Sequence, residues 1–221
     1  MTEMIHAAIF DFDGVVAETE SARFVYLQKV LRQKNIKVPN NYRSRTFGRT
    51  TKNLLNEDFY DKLSHQQIAG VLQQYQDEFK DHVADFAKPV ISSLDFLRSY
   101  KGQAKIALAS MSPRNSVIQI LHKFDLSSVF DPILTREDVT KSKPDPEIYL
   151  NTAKVLHVAP ALCVAVEDSP VGAAAAIAAG MQCFIILNGL NNKTEFSDAA
   201  ISGFISGVND FAKLNLQGPT L

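Results

Sequence analysis

Four short β-rich runs, at 5–10, 104–110, 162–166 and 182–187, are each followed by turn residues and then by a stretch with helical spacing. Strands that alternate with helices return to the same edge of a sheet. The alternation therefore predicts an α/β chain with a parallel sheet and helices on both faces. Pro132-Ile133-Leu134 is a further short strand candidate, and Ser116–Phe124, Asp145–Leu156 and Pro170–Ala179 are helix candidates. The last of these has Asp168 or Ser169 as N-cap, Pro170 near its first position and Gly180 as its stop. Its run of small residues allows close packing on a sheet.

Between Ala17 and about Ala87 the pattern changes. β-rich runs vanish, and helical spacing runs through Phe24, Leu27, Val30 and Leu31, then through Ile68, Val71, Leu72, Tyr75 and Phe79. An inserted helical module fits this best, leaving the sheet after its first strand and returning near Lys88-Pro89, so that the two crossings form a hinge pair. The domain expectation is 1–16 with 88–221 as the α/β unit and 17–87 as the helical unit. A chain of 221 residues, 46% hydrophobic, can bury one good core and a small second unit.

The balance of 23 basic and 24 acidic residues leaves no electrostatic footprint for nucleic acid. No apolar stretch is long enough to span a bilayer, and the N-terminal strand is too short for a secretory signal. Cys163 and Cys183 lie in apolar runs and read as buried strand residues, with a disulfide between them disfavoured. The expectation is a cytoplasmic protein, a monomer or weak homodimer, with neither nucleic acid nor membrane as partner. The five histidines show no metal-ligand spacing.

The chemistry concentrates beside the strands. Asp11 and Asp13 sit two residues apart behind the first strand, so an extended chain points them to one side before Gly14 turns the backbone. Such a pair suits phosphoryl transfer, in which Asp11 attacks phosphorus and Asp13 handles the proton. Taken alone, two acids in a solvated turn are commoner. A second acidic pair, Glu167-Asp168, follows the run 163–166, and Mg²⁺ between the two pairs needs only one or two of these carboxylates plus substrate phosphate. Considered alone, Asp168 also serves as a helix N-cap. Ser110 ends another run, and its hydroxyl with the backbone N–H of Met111 can grip a phosphoryl oxygen, although serine is an ordinary turn residue too. Arg114 either touches that phosphate or faces water. Pro144 restricts Lys143 to an extended backbone, which aims an ammonium inward, whereas Lys141 reads as surface.

Asp11-Phe12-Asp13-Gly14 after a hydrophobic strand, then Ser110, Lys143-Pro144 and Glu167-Asp168 in that order, resembles the four motifs of the haloacid dehalogenase-like hydrolase superfamily. The resemblance covers the chain from Asp11 to Asp168. It implies a Rossmann-like three-layer core with an inserted α-helical cap, and a catalytic set of Asp11, Asp13, Ser110 and Lys143. It also implies Mg²⁺ held by Asp11, Asp168 and the carbonyl of Asp13, with Glu167 orienting metal-bound water or ligating directly. Lys143 would pair with the nucleophile and the phosphate.

The helical insertion directly after the first motif resembles the branch containing phosphoglycolate phosphatases, haloacid dehalogenases and β-phosphoglucomutases. Haloacid dehalogenases lack the second Asp, so Asp13 argues for phosphate esters. The segments 11–20 and 107–112 look most like the phosphatase/phosphohexomutase subgroup. β-Phosphoglucomutases carry a histidine where this chain has Arg23, and an arginine where it has Thr51. Ala17-Glu18-Thr19-Glu20 resembles the CbbY-like sugar-phosphate phosphatases instead. The resemblance thus implies a Mg²⁺-dependent phosphatase of a small phosphorylated metabolite, a sugar phosphate, with a phosphomutase as the alternative. Gly48, Arg49 and Lys52 of the cap loop are the candidate readers of the rest of the substrate, and Phe47 is a core candidate there. A silent binding protein on this fold would lack the nucleophile or the acid, and both are present.

Overall fold

The computed structural model describes residues 4–38, 51–102, 104–196 and 200–217. The chain divides into two compact units, Met1–Ala17 with Pro89–Leu221, and Glu18–Lys88. No helix among the described residues is long and apolar enough to cross a membrane.

The chain enters through β1 (Ala7–Phe10), and β2 (Ala17–Glu18) leads to the helical unit. That unit holds α1 (Glu20–Gln33), α2 (Thr51–Asp58) and α3 (His65–Phe86), and β3 (Lys88–Pro89) pairs with β2 where the chain returns. Ser64 caps α3: its side chain accepts from the Gln67 N–H while the Gln67 side chain accepts from the Ser64 N–H, satisfying two donors that a helix start leaves open. The residues picked out by helical spacing form the unit's core. Phe24, Leu27, Val30 and Leu31 of α1 pack with Ile68, Val71 and Tyr75 of α3 and with Leu54 and Leu55 of α2.

The rest of the chain builds a six-stranded parallel sheet in the order β5-β4-β1-β6-β7-β8. After α4 (Ile91–Ser99) come β4 (Lys105–Ala109), α5 (Arg114–Lys123), β5 (Ile133–Leu134), α6 (Glu147–Leu156), β6 (Cys163–Glu167), α7 (Pro170–Ala178), β7 (Gln182–Ile186) and β8 (Gly203–Ile205). The sheet grows from β1 through β4 to β5, then restarts on the other side of β1 with β6. The order therefore reverses between β1 and β6, and open α/β sheets bind ligands outside the strands' carboxyl ends at such a point.

The two faces of the sheet are packed differently. Ala7, Ile9, Ala107, Ala109, Cys163, Ala165 and Cys183 form one face, and α6 and α7 lie on it through Tyr149, Ala153, Ala173 and Ala176. On the other side, the buried Phe10 ring has Phe96, Phe130 and Phe211 as neighbours, each with its centroid 6.1 Å away. Both cysteines are free and buried. Burial pushes the Cys163 thiol up to about 11 and raises Cys183 further. Ser169, not Asp168, caps α7, accepting from the Gly172 N–H at 3.1 Å. That leaves the Asp168 carboxylate available for other work.

Candidate active site

Register brings the acids together. Phe10 lies opposite Val166, so the residues that leave β1 and β6 do so side by side, and the Asp11 N–H donates to the Val166 carbonyl at 2.9 Å. One carboxylate oxygen each from Asp11, Glu167 and Asp168 lies within 4.8 Å of the others. Lys143 reaches the same spot from the loop before α6. Its ammonium donates to Asp11 Oδ1 at 2.6 Å and to Glu167 Oε1 at 2.7 Å, with its side chain 8% exposed. Burial alone would lower the lysine, but the Asp11 and Glu167 charges overturn this and hold it above its ordinary value, so it remains an ammonium.

Glu167 is fully buried and engaged on both oxygens. Tyr149 donates its hydroxyl to Oε1 at 2.6 Å, and the Asp168 N–H and the Ser169 hydroxyl donate to Oε2 at 3.2 and 3.4 Å. Gly172 stands against this carboxylate, and a Cβ there would collide with it. Such a fully bonded buried anion acts as a fixed post that holds Lys143 beside Asp11.

Asp11 is raised well above the usual carboxylate range by burial, against the pull of Lys143. Asp168 is pushed up to about 7, by burial first and by the Glu167 charge second, while its hydrogen bond from Asn188 acts in the opposite direction. Three carboxylates at this spacing carry more negative charge than Lys143 offsets. An all-oxygen donor set of this kind suits a small hard divalent cation, whose charge would offset that excess. Gly14, at φ 77°, lies so close to the Asp168 carboxylate that any side chain would collide with it.

The remaining candidates divide. Asp13 is half-buried beside this group and accepts from the Ser112 hydroxyl at 2.6 Å. Ser110 closes β4 fully buried, its Oγ accepting from the Ser112 N–H at 3.0 Å, and Met111 packs against the alanine-rich core. Arg114 is tied down instead: it is ion-paired with Asp138 and donates to the Ile133 carbonyl at 3.3 Å. Lys52 is exposed in the first turn of α2. Gly48 and Arg49, with Phe47, lie outside the described residues. Arg23 is held within the helical unit by Glu20 at 2.5 Å.

Sequence reasoning did not single out Tyr149, Ser112, Asn188 or Asn191. Asn188 donates to the Gly14 carbonyl at 2.8 Å and to Asp168 Oδ2 at 3.0 Å, and Asn191 donates to the Asp168 carbonyl at 2.7 Å. Their signal was position. Ser112 follows Ser110 by two, and both asparagines follow β7 at the carboxyl edge where ligands of such sheets bind.

Comparison with known proteins identifies the family. The profile described as haloacid dehalogenase-like hydrolase matches residues 8–186. The Bacillus subtilis (strain 168) protein YhcW, named provisionally as a phosphatase, is 34% identical over 201 residues, covering 88% of this chain and 89% of its own. A Thermotoga maritima protein named phosphorylated carbohydrates phosphatase is 29% identical over 214 residues, covering 85% and 88%. A Thermotoga maritima crystal structure, named provisionally as a β-phosphoglucomutase, superposes with a TM-score of 0.80 at 26% identity, covering 95% of this chain and all of that one. Profile, relatives and the acid-lined edge between β1 and β6 lead to one conclusion: the chain belongs to the haloacid dehalogenase-like hydrolase family.

Proposed function

We propose that the protein is a Mg²⁺-dependent phosphatase of a small phosphorylated metabolite, a sugar phosphate, acting through an aspartyl-phosphate on Asp11. The observation that carries this reading is the Lys143–Asp11 pair at 2.6 Å, anchored on the buried Glu167. One Asp11 oxygen is held by the ammonium, which fixes the direction of the other. The carboxylate of Asp11 attacks phosphorus, the bond from phosphorus to the ester oxygen breaks, and Asp13 gives its proton to the leaving oxygen. Asp13, now a carboxylate, takes a proton from water as that water attacks phosphorus and the bond to Asp11 breaks. Ser110 and the Met111 N–H hold phosphoryl oxygens, and Lys143 offsets their charge. Asp11, Asp168 and the Asp13 carbonyl would hold Mg²⁺, which when bound neutralises charge on the transferring group.

The names of two relatives, a phosphatase and a phosphorylated carbohydrates phosphatase, support hydrolysis of sugar phosphates. The structural similarity to a protein named as a β-phosphoglucomutase favours a second reading, in which a substrate hydroxyl replaces water. Against it, Arg23 occupies the position where the mutases carry their hinge histidine. Phosphorus NMR with Mg²⁺ and a panel of sugar phosphates, including β-glucose 1-phosphate with a trace of bisphosphate primer, tests both. Inorganic phosphate released from one class, and stopped by EDTA, is the expected result. A new phosphate ester without free phosphate would assign a mutase, and no turnover of any ester would overturn both readings.

A further inference from the structure

We propose that Asn188 is a positioning residue that sets the Asp168 carboxylate for divalent-cation binding. The inference rests on the reading that Asp168 is a metal ligand, and it assigns the loop after β7 to the metal site.

The loop is folded by its own amide oxygens. Asn188 Oδ1 accepts from the Leu190 N–H at 2.9 Å, and Asn191 Oδ1 accepts from the Asn188 N–H at 3.3 Å. Both Nδ2 groups are thereby turned toward the acidic edge. Asn188 Nδ2 gives one hydrogen to the Gly14 carbonyl and the other to Asp168 Oδ2, while Asn191 Nδ2 serves the Asp168 and Ile186 carbonyls. The orientation of the Asn188 amide is not arbitrary. A backbone N–H must donate and a backbone carbonyl must accept, so Leu190 identifies the oxygen and Gly14 identifies the nitrogen. The hydrogen offered to Asp168 is fixed by the rest of the network.

Two consequences follow. A carboxylate with one oxygen tied by a fixed donor loses free rotation about its terminal bond. The same amide also fastens the turn after β1 to the turn after β6, because Gly14 and Asp168 share it. An amide does this without adding charge to a spot where Asp11, Glu167 and Asp168 already crowd. An aspartate side chain in its place would offer no hydrogen and would add a fourth carboxylate to that crowd. The role is that of an outer partner orienting a ligand, and loss of such partners typically weakens metal binding about 10–100-fold.

Mg²⁺ demands near-ideal octahedral geometry, whereas Ca²⁺ accepts longer and more irregular coordination. A residue that orients Asp168 must therefore matter more to Mg²⁺ than to Ca²⁺. Calorimetric titration of the metal-free full chain with MgCl₂ and with CaCl₂ tests this on the wild type and on Asn188→Ala, Asn188→Leu and Asp168→Asn. The leucine variant keeps the volume without a donor, so a fold lost in the alanine variant does not end the test. We expect Mg²⁺ affinity to fall about 10–100-fold in either Asn188 variant, with a smaller loss for Ca²⁺. Unchanged Mg²⁺ affinity, or equal losses for both ions, would overturn the proposal while Asp168→Asn still loses Mg²⁺. If Asp168→Asn binds Mg²⁺ like the wild type, the metal-ligand reading itself fails and takes the proposal with it.

Discussion

In the α/β unit, charge is buried and paired: Lys143 lies between Asp11 and Glu167, and Glu167 also meets Tyr149. In the helical unit the buried residues that hold α1 to α3 are chiefly aromatic and aliphatic, with Tyr26 6.1 Å from Tyr75 and Tyr75 stacked on Phe79 at 4.9 Å. The contrast separates two tasks. The proposed phosphoryl transfer needs few groups held in one geometry, and the buried pairs of Lys143 with Asp11 and Glu167 hold three such groups together. Apolar helix packing depends on the buried stripe and tolerates change on its outer surface.

The largest expected effect belongs to the nucleophile. Asp11→Asn should lower kcat by roughly 10⁴- to 10⁶-fold, the scale seen when a nucleophile is removed, with the circular dichroism spectrum unchanged. Steady-state turnover near wild type would break the covalent account. Lys143→Met is next, with a loss of roughly 10²- to 10³-fold in kcat, typical for one preorganised electrostatic partner. It also leaves Glu167 buried without its cation, at a cost of about 3–5 kcal/mol in chemical denaturation. The helical unit's core rests on apolar packing instead, so its Tyr26→Phe variant should cost only about 1 kcal/mol, the worth of one hydrogen bond to Glu78, and leave kcat unchanged.

The pH dependence carries a definite sign. Burial raises Asp11, and it raises Asp168 to about 7. A raised carboxylate favours the fold while it keeps its proton, so the metal-free protein loses stability as pH rises through about 7. Under the proposed reading Mg²⁺ would compete with those protons, so its stabilisation should be larger at about pH 8 than at about pH 6. Thermal melts with and without Mg²⁺ at the two pH values check this, and equal shifts would contradict it. The smallest effect is expected in the helical unit. Lys52→Ala or Arg49→Ala should alter the ranking of substrates by a few fold, and an equal loss across all substrates would deny these positions a reading role.

How much of this could be read in the chain differs between its parts. The strands were legible because β-rich runs between turn residues are local signals, and the acid pairs were legible because they stand directly behind those runs. Helix α4 is not among the expected helices although Leu94 and Leu97 have the right spacing, and β8 is only three residues long. For Arg114 the sequence leaves a phosphate contact and a solvent-facing position open, and neither allows for Asp138, 24 residues on, which holds it. Tyr149 and Asn188 bond to partners 18 and 20 residues away, so position behind a strand can flag Asn188 but nothing local names either partner. Only the folded sheet edge brings them to the acids.

The central claim is that Asp11 carries the phosphoryl group. Rapid acid quench during turnover of an active sugar phosphate, followed by borohydride reduction and peptide mapping, tests it directly, because an acyl phosphate is reduced to the alcohol while a free carboxylate is not. The account predicts conversion of Asp11 to homoserine only when substrate and Mg²⁺ are both present. Turnover with Asp11 unmodified, or with reduction at another carboxylate, would contradict it.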